Sequence, residues 1–210
     1  EMFPLLGENG FLGATVSEEY GGADLDLLPA GLVIQAFGRY NPAVALSYLA
    51  HDNLCLNNIY RNGNDEQRAR FLPKMCSGEW VGALGMTEPG AGSDAVRGMA
   101  STERRVGDKY ILNGRKIFIT NGPIADVILV YAKTSPELGA QGISAFVVEK
   151  DFPGYSVAQK MIKMGYRGSQ TGELLFDDCE VPAENLIGEE NGGVAVMMGG
   201  LDIERAMIGQ

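Results

Sequence analysis

The spacing of apolar residues changes along the chain, and this change limits the possible folds more than any other feature. Residues 1 to about 80 repeat apolar residues at helical spacing, as in LPAGLVIQAFGRY (28–40) and AVALSYLAHDNLCLNNIYRNG (43–63). Beyond residue 81 the period falls towards two, as in DVILVYAK (126–133) and GISAFVVEK (142–150). No helix-length pattern separates the strand-like segments, so we predict an antiparallel rather than a doubly wound sheet.

The predicted fold class is therefore α+β. We expect an N-terminal helical domain (1–80), a middle antiparallel β-domain of barrel or sandwich type (81–190) and the first helix of a C-terminal helical bundle (191–210). Within the β-domain, KYILNGRKIFITNG (109–122) predicts a hairpin that turns at its Asn-Gly pair. The first residues, EMFPLLGENG, and the uncapped apolar pattern at the other end predict a piece of a longer protein.

Composition excludes several classes of function. A net charge of −10, from 17 basic and 27 acidic residues, disfavours nucleic acids and anionic membrane surfaces as partners. No apolar run reaches the ~18 residues of a membrane span. One histidine and three scattered cysteines disfavour a metal site or a Ser-His-Asp triad. The unpaired cysteines indicate a reducing compartment, so we expect the bacterial cytoplasm or the mitochondrial matrix.

Two short motifs could face a ligand. GMTEPGAGSD (85–94) has glycine spacing like that of a dinucleotide-binding loop, but no apolar helix follows it, which disfavours a Rossmann fold. It is either an ordinary glycine-rich turn or a turn that presents N–H groups and the hydroxyls of Thr87 and Ser93 to an anionic or polar-ring ligand. Likewise, FITNG (118–122) is either a strand leaving the core or a site offering one ring and one hydroxyl.

A third candidate is Glu204, near the end of the chain. On a helix, the positions seven and three residues before it and three and four after it share its face. All four are apolar: Met197, Leu201, Met207 and Ile208. A carboxyl on a buried face has a raised pKa, as a general base working near neutral pH requires. The alternative is a structural ion pair with Arg205 or a neighbouring element.

Several motifs together identify a resemblance. MTEPGAGSD, FITNGP and VPAENLIGEENGG, with SEEYGGADLD (17–26) and RGSQTGELLFDDCEVP (167–182), resemble the acyl-CoA dehydrogenase family over nearly the whole chain. Within the family, GLDIER (200–205) and YLAHDNLCLNNIYRNGN (48–64) are most similar to the isovaleryl-CoA branch. The resemblance implies a helical, a β and a C-terminal four-helix domain, assembled as a homotetramer.

The resemblance also implies FAD as the cofactor. Carried over residue by residue, the flavin-facing positions are Leu84, Gly85, Met86, Thr87, Gly92, Ser93, Phe118, Ile119 and Thr120. The substrate-facing positions are Ser93, Ala195, Asp202 and Arg205. Three positions differ from the family pattern: Phe118 stands for a tryptophan, Ala195 for a tyrosine and Gln141 for an arginine. The smaller residue at 195 implies a larger pocket or an altered contact with CoA.

The implied reaction is the α,β-dehydrogenation of an acyl-CoA. Glu204 matches the glutamate that removes the α-proton while a hydride passes from the β-carbon to the flavin, giving a 2-enoyl-CoA. An electron-transfer flavoprotein then reoxidises the flavin. A base on this helix favours a branched short-chain acyl group such as isovaleryl. The alternatives are a medium-chain, long-chain or cyclic acyl group, or a fragment that binds flavin or acyl-CoA without catalysis.

Overall fold

A computed structural model describes residues 2–208, and its first part is helical. The helices are α1 (Met2–Glu8), α2 (Leu27–Tyr40), α3 (Pro42–Leu49), a π-helix (Ala50–Leu56), α4 (Asn57–Asn62) and α5 (Asp65–Cys76). The segments from Pro42 to Asn62 follow one another without a break. Asn41 begins this run because its side chain accepts hydrogen bonds from the N–H groups of Ala43 and Val44.

Helix α5 connects the helical layer to the β-domain. It begins with a capping box in which Asn64 and Gln67 bond each other's backbone N–H groups. The amide nitrogen of Gln67 also donates to the carbonyls of Glu184 and Leu186, each at 2.7 Å. One polar side chain therefore caps the start of the helix and fixes it to the chain at residues 184–186.

Eight strands form one sheet. They are β1 (Gly82–Gly85), β2 (Thr102–Val106), β3 (Lys109–Thr120), β4 (Val127–Lys133), β5 (Ile143–Glu149), β6 (Tyr155–Lys160), β7 (Thr171–Pro182) and β8 (Leu186–Ile187). Their order is β6-β7-β3-β2-β4-β5-β8, with β1 beside β4. In the described part of the chain, the remaining helices are short α6 (Ala95–Gly98), long α7 (Gly193–Ile208) and four short 3-10 helices, at Glu18–Tyr20, Gly122–Ile124, Pro136–Gly142 and Ala183–Asn185.

The core lies on both faces of this sheet. In β4, alternate side chains pack against different groups because successive residues of a strand point to opposite faces. Val127, Leu129 and Tyr131 join the cluster shared with the helices, whereas Ile128 and Val130 pack with β3, β5 and β7 on the other face. The helix–sheet–helix order of the predicted α+β fold is confirmed, while the limits at residues 80 and 190 stay predictions.

The pairing of strands differs from the prediction in two details. Five of the strand pairs are antiparallel, but β1 and β2 both pair with β4 in parallel. The predicted hairpin turn at Asn113-Gly114 is wrong, because β3 continues through these two residues. The hairpin turn lies instead at Gly107-Asp108, between β2 and β3. Asn113 lies at a bulge, where its amide exchanges two hydrogen bonds with Asp178.

Between residues 2 and 208, no helix is both long enough and apolar enough to cross a membrane.

Candidate active site

A cavity of about 280 Å³ lies where the ends of β1 and β3 meet α7 and the π-helix. Its walls are formed by Ala50, Leu54, Leu84, Met86, Thr87, Phe118, Ile119, Thr120, Leu201, Glu204 and Arg205. The cavity thus brings together six of the nine predicted flavin-facing residues, the predicted base and one predicted substrate-facing residue. These residues come from parts of the sequence as much as 155 positions apart (50 to 205), so only the fold could bring them together.

The other predicted site residues do not line this cavity. Gly85 is buried in β1, where an added Cβ would lie 3.3 Å from Val130 and 3.4 Å from the Lys116 side chain. Gly92 and Ser93 are exposed in the loop before α6. The last two, Ala195 and Asp202, are exposed on α7.

The first wall is the chain that leaves β1. Thr87 is followed by a tight turn in which Glu88 and Ala91 exchange two backbone hydrogen bonds, of 3.1 and 3.0 Å. The carbonyl of Thr87 accepts a hydrogen bond of 2.8 Å from the N–H of Ile117 on β3. This bond joins the turn directly to the second wall.

The second wall is a bulge in β3. Lys116 pairs with Leu174 and Ile119 with Gly172, so two residues of β3 stand opposite one of β7. Phe118 lies in this bulge with φ 60°, and its side chain is 64% exposed. A positive φ costs an L-residue roughly 1–2 kcal/mol, and bulges next to active sites turn a side chain towards a ligand. The aromatic ring is therefore held out of the core beside the cavity.

Asn121 secures the end of the same strand, a role that sequence analysis missed. It also has a positive φ, 63°, which asparagine tolerates better than most residues. Its buried amide donates to the carbonyl of Ser47 at 2.8 Å and to that of Gly82 at 3.2 Å. Asn121 therefore connects the end of β3 to α3 and to β1.

The π-helix forms the third wall, through Ala50 and Leu54. His51 on the same helix is fully buried. It accepts a hydrogen bond at Nδ1 from the N–H of Gly82 (2.8 Å), and its Nε2 lies 3.1 Å from the carbonyl of Met75. These contacts assign the proton to Nε2. Burial lowers the pKa of His51 to about 4, so the ring is neutral. π-Helical turns occur often at functional sites, and apolar spacing in the sequence gave no sign of this one.

Glu204 occupies the fourth wall, on α7. Burial raises the pKa of its carboxyl, and the charge of Arg205 opposes this only in part. Among the described residues, no ion pair joins Glu204 to Arg205 or to any other residue, so the alternative of a structural ion pair finds no support. Met197 and Met207 are buried as predicted, but Ile208 is 59% exposed. The carboxyl is half-buried, and it faces the cavity rather than the core.

Behind the first two walls lies a buried ion pair that sequence analysis also missed. Lys116 Nζ is 2.8 Å from Glu88 Oε1, and the two side chains are 0% and 5% exposed. Glu88 also accepts the N–H groups of Ala100 (2.6 Å) and Ser101 (3.0 Å). Burial alone would raise the pKa of Glu88, but Lys116 and these donors hold it below its ordinary value. Local sequence patterns gave no sign of the pair, because its members are 28 residues apart and meet only in the fold.

A larger cleft, of about 570 Å³, lies elsewhere, between α2, α3, Tyr166 and the end of α7. It contains no acidic side chain and only two of the predicted apolar neighbours of Glu204, Met207 and Ile208. Within residues 2–208, no group of three or more His, Cys, Asp or Glu residues could hold a metal ion. The smaller cavity is therefore the one lined by the residues for which the sequence predicts a chemical role.

Comparisons with known proteins agree with the motifs. Residues 1–79 match the N-terminal domain of acyl-CoA dehydrogenases, and residues 83–179 match the middle domain. Mitochondrial isovaleryl-CoA dehydrogenase of Pongo abelii is 51% identical over 99% of this chain and 49% of its own length. The chain thus spans about half the length of this relative.

Two solved structures show the same fold. Butyryl-CoA dehydrogenase of Megasphaera elsdenii has a TM-score of 0.94 and 40% identity, over 99% of this chain and 55% of its own. Acyl-CoA dehydrogenase of Bacillus anthracis, solved in complex with FAD, has a TM-score of 0.92 and 40% identity, over 99% and 35% of the two chains. With the two domain matches, these likenesses establish that the chain belongs to the acyl-CoA dehydrogenase family.

Proposed function

We propose that the full-length protein is an FAD-dependent acyl-CoA dehydrogenase in which Glu204 removes the α-proton of a branched short-chain acyl-CoA. The observation that carries this proposal is the shared cavity. Its lining includes Thr87, Phe118 and Thr120 together with the half-buried carboxyl of Glu204, which forms no ion pair with another described residue. Such a carboxyl has a raised pKa, which makes it a stronger base once it is ionised.

The chain's own residues fit a flavin ring. Leu84, Met86 and Ile119 give the cavity an apolar lining, and the exposed Phe118 offers an aromatic face. The hydroxyls of Thr87 and Thr120 supply hydrogen-bonding groups at the same place. A planar ring with one polar edge needs this combination of surfaces. When bound, FAD supplies the acceptor for the hydride that leaves the β-carbon.

The remaining chemistry belongs to Glu204. Its carboxylate takes the α-proton, the electrons of that C–H bond form the new double bond, and the β-hydride departs with its own electron pair. The product is a 2-enoyl-CoA and the protonated carboxyl. Apolar Leu54 and Leu201 line the cavity with Glu204, so part of the surroundings of the carboxyl is apolar. In such surroundings the carboxylate accepts a weakly acidic proton more readily than it would in water.

The acyl group is the finer part of the proposal. Ala50, Leu54 and Leu201 add apolar side chains to the lining of the cavity, which suits a short branched chain. The comparisons include several dehydrogenases named for isovaleryl-CoA and one named for butyryl-CoA, so a linear short chain is the second candidate. Electron-transfer flavoprotein as electron acceptor, a homotetrameric assembly and a location in the mitochondrial matrix or bacterial cytoplasm complete the proposal.

The substitution Glu204→Gln in the full-length protein tests this function. We expect bound FAD to remain and turnover of isovaleryl-CoA to fall by about 10²–10⁴-fold, as the loss of a general base does. The measurement is anaerobic bleaching of the flavin band by isovaleryl-CoA, compared with butyryl-CoA and a longer acyl-CoA. Glu137→Gln, at an exposed carboxyl that does not line the cavity, is the control. Wild-type turnover by Glu204→Gln would exclude this base, and a wild-type protein that binds FAD without bleaching would point to a binding role.

A further inference from the structure

We propose that the buried Glu88–Lys116 pair positions the two walls that face the flavin, and that Glu88 and Lys116 are therefore positioning residues for the reaction. The inference rests on the proposed function, since it concerns how that site is held for its cofactor. Neither residue lines the cavity. Each lies next to a segment that does: Glu88 follows Thr87, and Lys116 stands two residues before Phe118.

The carboxylate end of the pair fixes the first wall. Glu88 Oε2 accepts the N–H of Ala100, and Oε1 accepts the N–H of Ser101 as well as the ammonium of Lys116. The backbone of Glu88 also closes the turn with Ala91. A single side chain thus connects the turn after Thr87 to the chain that enters β2.

The ammonium end fixes the second wall. Besides Glu88, Lys116 Nζ donates to the carbonyl of Met86 at 3.3 Å, which lies beside Thr87. Lys116 is also the last paired residue of β3 before the bulge that holds Phe118 at positive φ. Movement of this ammonium would therefore disturb Met86 in the first wall and Phe118 in the second.

The position of the pair argues against a purely stabilising role. Removing two charges from water is costly, and replacement of a buried pair by apolar groups is often neutral or stabilising. A more exposed pair is available for comparison on the same strand, where Arg115, with 58% of its side chain exposed, lies 3.3 Å from Glu173. The buried pair instead joins the two cavity walls, and a fixed distance between these walls would hold the flavin-facing residues in place. We therefore expect that removing both charges together leaves the fold intact but makes the two cavity walls more mobile.

The test compares full-length variants Glu88→Gln, Lys116→Met and the double variant Glu88→Gln/Lys116→Met with the wild type. Arg115→Met is the matched control, since it removes the neighbouring cation of β3. Thermal unfolding reports whether each variant folds. Titration with FAD gives the dissociation constant, and the visible spectrum and reduction potential of the bound flavin at saturating FAD report its surroundings. The N–H of Ile117 donates a hydrogen bond to the carbonyl of Thr87. Hydrogen exchange at this N–H, measured on the protein without FAD, therefore reports the contact between the two walls.

We expect the double variant to fold, to bind FAD at least tenfold more weakly and to change the spectrum and potential of the bound flavin. Exchange at Ile117 should become at least tenfold faster, while Arg115→Met matches the wild type. A merely structural pair would lower the unfolding temperature and leave the saturated spectrum and potential unchanged, which would overturn the inference. If the single variants fail to fold, the double variant still decides. Absence of FAD binding by the wild type would contradict the proposed function instead, and unchanged Ile117 exchange would then overturn the positioning role by itself.

Discussion

At the scale of single residues, Glu103 stands out because its carboxyl group is buried inside the sheet domain. It is 3% exposed, and neither carboxylate oxygen has a hydrogen-bond partner among residues 2–208. It stands opposite Leu112, which in turn pairs with Cys179, so its neighbours across the sheet are apolar or weakly polar. Burial raises its pKa well above the ordinary value. The native state therefore holds this proton at a pH where the unfolded chain has released it.

The substitution Glu103→Met should stabilise the protein. A raised native pKa means that stability is lost as the pH rises above the unfolded value of roughly 4.3. Methionine removes this loss and the unsatisfied oxygens, a gain of about 1–3 kcal/mol near pH 8. Thermal unfolding at pH 5 and pH 8 measures the effect, with Glu180→Met, on an exposed side chain of β7, as the control. A gain that is equal at both pH values would show that titration of Glu103 is not its source.

At the scale of secondary-structure elements, β3 shows how one strand shapes the site. It contains two irregularities, one at Asn113-Gly114 and one between Lys116 and Ile119. The first lets β3 pass close to Ser101, since a Cβ on Gly114 would lie 2.1 Å from Ser101 Oγ and 2.9 Å from its Cα. The second irregularity turns the side chain of Phe118 towards the cavity. An Asn-Gly pair between apolar segments usually marks a hairpin turn, and here the nearby backbone of Ser101 requires the glycine instead.

Gly114→Ala should therefore be costly, by about 2–4 kcal/mol in the free energy of unfolding, because an overpacked backbone contact must move. Gly107→Ala is the matched control. Gly107 has φ 66° in the turn between β2 and β3, and nothing lies within 4 Å of the added Cβ, so only a conformational cost of about 1 kcal/mol is expected. Urea unfolding of both variants gives the comparison. Similar losses at the two glycines would mean that the contact with Ser101 is relieved easily.

At the scale of the whole molecule, the sequence predicted what local patterns can report. Apolar spacing gave the order of helices, strands and final helix, and the family motifs named Glu204, Thr87 and Phe118, which share one cavity. The Glu88–Lys116 pair was missed because its members are 28 residues apart and meet only through the fold. The π-helix was missed because a shift in backbone hydrogen bonding leaves apolar spacing almost unchanged. Long-range polar contacts therefore escaped prediction, whereas apolar patterns did not.

Two neighbouring residues of the π-helix give the whole molecule opposing responses to pH. Burial lowers the pKa of His51 from 6.5 to about 4, so stability is lost as the pH falls through this window. Burial raises the pKa of Asp52 from 3.8 to about 7, despite hydrogen bonds from Gly13 and Tyr48, so stability is lost as the pH rises. At about 1.4 kcal/mol for each pKa unit, the two effects amount to about 3 and 4 kcal/mol. Between pH 4 and 6.5 the two changes in stability with pH have opposite signs and nearly cancel.

Removing either residue should expose the effect of the other. We expect the free energy of unfolding of Asp52→Asn to fall as the pH is lowered from 6.5 to 4, because only the loss from His51 remains. The wild type should change little over the same range. His51→Gln keeps a donor for Met75 and an acceptor for Gly82, and its stability should fall as the pH rises over the same range. Unfolding free energies of the two variants and the wild type, measured by urea at half-unit pH steps, give slopes of opposite sign. Parallel curves for all three proteins would mean that His51 and Asp52 titrate alike in the folded and unfolded states, and that burial on the π-helix does not shift them.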